Sequence, residues 1–193
     1  MKDLWLPYSG LLANWSGKNY STTLIFLFFW ATTMWKNGGL KSELPVSYRI
    51  QNVCLSFWLV FSASFNVKLI LWCIFHPGLV PKYFYVQSGV LPPAITLAIL
   101  ILSFGATYLD IQIGFLMAQQ KQRARTLALR FIPYLLLIEI LDAMRVLSSH
   151  AEANPELFKF AAPFMILFIS AFYFWLFRFF RTEKTEVLKA NPS

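Results

Sequence analysis

Long apolar runs alternate with short polar breaks along the chain. Five such runs stand out, at roughly 19–35, 52–75, 92–118, 128–148 and 157–180. Since about 20 apolar residues in a helix cross the hydrocarbon core of a bilayer, each run predicts a transmembrane helix. The first is the shortest. "STTLIFLFFWATTMW" is brief for a crossing, and the preceding "LWLPYSGLLANW" reads as an amphipathic piece along the interface. The expected fold is therefore an all-α integral membrane protein, a compact bundle of five transmembrane helices, or four if the first run stops short.

The longest polar stretches are the loop 36–51 and the tail 181–193. They leave no room for a soluble domain, so residues 1–193 are expected to form one multi-pass domain ending in a cytoplasmic tail. Met1-Lys2-Asp3 is a weak charged start with no small-residue cleavage site after the first apolar run, so no removable signal peptide is expected. There is no internal repeat, and an inverted-repeat transporter lacks support.

Composition agrees with the pattern. Of 193 residues 58% are hydrophobic and 13% charged, with a mean hydropathy of +0.55, outside the range of ordinary soluble domains. The net charge of +8 is accounted for by topology. With five spans, 11 Lys and Arg residues fall on the side of the C-terminus, among them Lys36, Arg49, Lys121, Arg123, Arg125 and Arg181, against only Lys2, Lys18, Lys82 and Lys159 on the other. The positive-inside rule then places the C-terminus in the cytoplasm and the N-terminus outside. These scattered basic residues suit anionic lipid headgroups and carry no nucleic-acid-binding motif, so the expected partners are membrane lipids and not nucleic acid.

Polar residues within the runs single out faces that should look at protein. In the second run Cys54, Ser64 and Lys68 share one face with Phe57 and Phe61, while Ser62 and Asn66 point to a different one. The third run carries Thr96, Ser103, Thr107, Asp110 and Gly114 on one stripe. The fourth, "LLLIEILDAMRVL", brings Glu139, Asp142 and Arg145 at successive steps of three. The fifth offers only Ser170 and Tyr173 within "APFMILFISAFYFWLF". Helices two, three and four are thus expected to form the core, with one and five toward lipid.

At ~1.5 Å rise per residue Lys68 and Asp142 lie at matching depths, ~7 and ~6 Å outside the midplane, with Glu139 near the middle and Arg145 ~10 Å out. Asp142 and Glu139 are therefore expected to compensate Lys68 across the interface of helices two and four, with Arg145 pairing back to Asp142 or reaching headgroups. Asp110, ~7 Å to the inner side, lacks an obvious cation, Arg130 being the one candidate. Either the third helix ends near Leu109 and this carboxylate is interfacial, or it lies desolvated, a setting suited to proton exchange.

Pro92-Pro93 is expected to open the third helix, Pro133 to sit in the first turns of the fourth, and Pro163 to kink the fifth. Tyr83, Phe84 and Tyr85 read as an outer aromatic belt. Cys54 and Cys73 lie ~28 Å apart along one helix and cannot pair within one subunit. His76 and His150 read as solvated histidines at outer helix ends, and no cofactor is expected. A divalent ion at Glu139, Asp142 and Asp110 is disfavoured by Lys68 and Arg145, so no metal is expected either.

Three functions remain. The first is a charged cavity between helices two, three and four that binds or transports a small molecule, lipid or proton, lined by Lys68, Ser64, Ser103, Asp110, Glu139 and Asp142, with Arg145 completing the ion-pair core. The second is a non-catalytic accessory or assembly subunit, with a membrane-protein partner or a second copy of the chain. The third is a lipid-modifying enzyme, for which the chain holds no catalytic signature; the expectation leans away from an enzyme.

Overall fold

The computed structural model describes residues 20–37, 45–75, 78, 92–151 and 155–190. The interfacial piece before Tyr20, the aromatic group 83–85 and His76 lie outside the described residues, as do the side chains of Lys68, Cys73 and His150. Five helices occur among the described residues: α1 (Tyr20–Lys36), α2 (Val46–Phe75), α3 (Pro93–Ala118), α4 (Gln122–Ala151) and α5 (Pro155–Ala190). No strand occurs among the described residues.

Three of these helices hold stretches long and apolar enough to cross a membrane: Val46–Leu71, Ala94–Ala118 and Lys159–Thr182. At 17 residues, α1 stands at the short end of the roughly 17–25 residues that a crossing takes. Length is not what separates α4, which has 30 residues; its Arg130, Glu139, Asp142 and Arg145 interrupt the apolar run.

Element ends differ from the sequence pattern where polar residues are helical. α2 starts at Val46, inside the expected loop 36–51, and α5 continues to Ala190, through most of the polar tail. The expected loop 119–127 shrinks to three residues because α4 already begins at Gln122. Its compactness comes from a left-handed Gln120 (φ 55°), which lets Gln120 N–H donate to the Met117 carbonyl at 2.9 Å and Lys121 N–H to that of Leu116 at 3.0 Å. These two bonds satisfy carbonyls that a helix end leaves open. Pro93 opens α3, as expected. Pro133 does not sit in the first turns of its helix but about three turns in, where it deprives the carbonyl four residues back of its intrahelical partner.

Successive helices pack in sequence order, with α3 between α2 and α4, and α5 against α4, and run in opposite directions, since the start of one meets the end of the next, as Asn52 meets Met117 and Arg125 meets Phe180. α5 also meets α2 through long side chains. Tyr48 stacks on Phe179 with ring centroids 4.8 Å apart, Trp58 packs on Phe168 at 5.4 Å, and the Trp175 indole donates to Gln51 Oε1. α1 leans on α2, where Trp30 Nε1–H donates to Ser56 Oγ and Ser64 Oγ–H to Thr23 Oγ1, both at 3.1 Å.

The core combines Leu55 and Leu59 of α2, Ala106 and Ile113 of α3, Leu135 and Ile138 of α4, and Tyr173, Leu176, Phe179 and Phe180 of α5. α5 is therefore a core helix on one stripe and not only a lipid-side element; its other faces leave Phe160, Phe164, Leu167 and Phe174 exposed. Lipid tails are as apolar as leucine, so close backbone approach, and not apolar character alone, decides such contacts. Gly114 provides one such approach: a Cβ there would stand 2.7 Å from Val60 Cγ2 and 3.2 Å from the Ser56 carbonyl oxygen.

Candidate functional site

The polar stripe of α3 is buried throughout. Thr96, Ser103, Thr107 and Asp110 are each 3% exposed or less, and the helix runs on for two turns beyond Asp110, which excludes an interfacial carboxylate at a helix end. Ser103 and Thr107 return their hydroxyl protons to carbonyls of their own helix, at 2.8 Å each. Asp110 has no such local outlet. Its two carboxylate oxygens instead share the Tyr173 hydroxyl of α5, which lies 3.3 Å from both. Arg130, the cation considered for Asp110, is exposed beside the Phe131 ring, and Asp110 has no cation partner among the described residues.

Glu139 lies near enough to Asp110 and to Asp142 to interact electrostatically with both. Three acids thus follow one another from α3 into α4. Asp142 is compensated on its own helix: Arg145 Nε–H donates to Asp142 Oδ1 at 2.7 Å, with the Arg145 side chain 4% exposed. Steps of three residues stack the two groups on one helix face, which gives the pair its geometry. Glu139 has neither hydrogen bond nor ion pair among the described residues. The acids do not form a set that could hold a metal ion among those residues.

α2, α4 and α5 line an open-mouthed cavity of about 540 Å³. Its polar lining is Glu139 and Asp142 from α4, Ser62 and Asn66 from α2, and Tyr173 from α5. Trp58, Phe61, Phe65, Phe168 and Phe172 supply aromatic walls. Phe65, Met165 and Phe168 are themselves exposed, so the mouth opens on the bundle surface between α2 and α5.

The expected site is thus brought together in part. Glu139 and Asp142 reach the cavity, Arg145 braces Asp142 from behind, and Asp110 connects to it through Tyr173. Ser64 faces α1 and Ser103 is turned back on its own helix. Lys68 lies on α2, its side chain outside the described residues, so the expected pairing with Asp142 rests on the sequence alone. The cavity is bounded by α2, α4 and α5 instead of α2, α3 and α4. Comparison with known protein families, curated proteins and solved structures finds no match. The chemistry of the site therefore has to speak for itself.

Ser62 and Asn66, read from the sequence only as pointing away from the Ser64 face, are the α2 residues that supply polarity to the cavity. Trp58 was hidden among seven tryptophans that suit a lipid interface equally well. Chemically, the arrangement offers one carboxylate without a partner among the described residues, a second held by arginine, and a large aromatic surface. A cavity of this size, mostly apolar with a few placed polar groups, has the usual make-up of a small-molecule site.

Proposed function

We propose that this chain is a five-span membrane protein, N-terminus outside and C-terminus cytoplasmic, whose cavity between α2, α4 and α5 binds a small molecule or lipid, for carriage or sensing. The observation that carries the reading is the juxtaposition of Glu139 and Asp142 with an aromatic-walled cavity of about 540 Å³. Ionisable side chains at membrane depth are costly and usually serve a substrate, ion or proton. A mouth rimmed by Phe65, Met165 and Phe168 suits lateral entry of an apolar body from the bilayer. The alternating helix directions support the topology, since they bring Lys36, Arg49, Lys121, Arg123 and Arg181 to one end, as anchoring to an anionic inner leaflet favours.

An accessory-subunit role is the second reading. It is favoured by the exposed aromatic surface of α1 and α5, including Phe28, Trp35, Phe160 and Phe174. Native mass spectrometry of the protein extracted from its own membrane in mild detergent separates the two. A lone chain or homo-oligomer holding a molecule of defined mass, lost when Ala161→Phe fills the cavity, is the expected result. A fixed protein partner with no retained molecule would replace the binding reading with the assembly reading.

A further inference from the structure

The ligand class follows from which charges meet the cavity. Among the described residues its charged lining consists of two acids, Glu139 and Asp142. Arg145 already holds Asp142 at 2.7 Å, whereas Glu139 has no hydrogen bond or ion pair among those residues. Trp58, Phe61, Phe65 and Phe168 line the same cavity, and ring faces attract cations where water is scarce. A neutral ligand would leave the Glu139 carboxylate unused, and an anion would meet that carboxylate with no cation offsetting it among the described residues. We propose that the cavity takes a lipophilic organic cation, its charged head against Glu139 and its apolar body between the aromatic rings. This rests on the cavity being a binding site, and it adds the sign of the ligand's charge.

The test uses two probes of one shape and opposite charge, tetraphenylphosphonium and tetraphenylborate, titrated calorimetrically into the full chain in lipid nanodiscs. Tetraphenylphosphonium is expected to bind saturably and tetraphenylborate not to bind. Glu139→Gln should weaken the cation at least about tenfold, the scale of losing one unit-charge attraction in a partly buried setting, while Glu139→Asp, which keeps the charge, should retain most of the affinity. Ala161→Phe should abolish binding. If both probes bind equally and Ala161→Phe abolishes both, the cation proposal is overturned while the cavity still binds ligands. Unchanged affinity in a folded Glu139→Gln also overturns it. If wild type binds neither probe, the cation proposal fails, and a native extract without a retained molecule would then remove the binding reading itself.

Discussion

Replacing Arg145 with methionine should destabilise the folded protein by roughly 3–5 kcal/mol, the loss found when one partner of a buried ion pair is removed. The arginine side chain is 4% exposed and that of Asp142 14%, so the abandoned carboxylate has little water to turn to. Combining Arg145→Met with Asp142→Asn should restore much of the loss, because Asp142 is then no longer a charge abandoned by its partner. Reversible denaturation in mixed detergent micelles reads both quantities. A loss below about 1 kcal/mol for the single variant would mark the pair as solvated, since exposed pairs contribute no more than that.

The second large effect lies at the crossing of α2 and α3. Gly114→Ala should cost about 1–3 kcal/mol, the range for an overpacked site. The new methyl would stand 2.7 Å from Val60 Cγ2 and 3.2 Å from the backbone oxygen of Ser56. Valine is stiff about its first side-chain torsion, and a helix carbonyl cannot swing away alone, so the two helices have to separate. Val60→Ala in the same chain removes the nearer clash and should recover part of the loss, leaving the carbonyl contact. The same denaturation experiment checks it. Wild-type stability in Gly114→Ala would mean that the helices cross elsewhere.

The helical fold and the stripe of α3 are legible in the sequence because hydrophobic length and polar periodicity carry them directly. The buried set Thr96, Ser103, Thr107, Asp110 and Gly114 is read off at helical spacing. The role of α5 is not legible in that way. Its core residues Leu176, Phe179 and Phe180 are as apolar as its exposed Phe174 and Phe177, and in a bilayer both surfaces prefer apolar side chains, so hydropathy cannot tell core from lipid face. One signal was present: Tyr173 lies ~7 Å to the inner side of the middle of its run at ~1.5 Å per residue, the depth of Asp110. Matching a lone acid to donors as well as to cations would have paired them. The pairing of Asp142 with Arg145 is legible from spacing alone. The cavity is not, because it depends on α2 and α4 standing apart across it while α5 closes the side, and no local pattern encodes that arrangement. Polar helix extensions at Val46 and Ala190 escape a hydropathy reading for a simpler reason: a helix does not end where its apolar stretch ends.

The most direct measurement is an experimental density map of the protein purified from its own membrane without added ligand, at a resolution that shows side chains. The expected map has a non-protein molecule in the cavity between α2, α4 and α5, its polar end within hydrogen-bonding distance of Glu139 and its body against Trp58 and Phe168. A cavity closed by collapse of α5 onto α4, or filled by a helix of another subunit, would contradict the binding role.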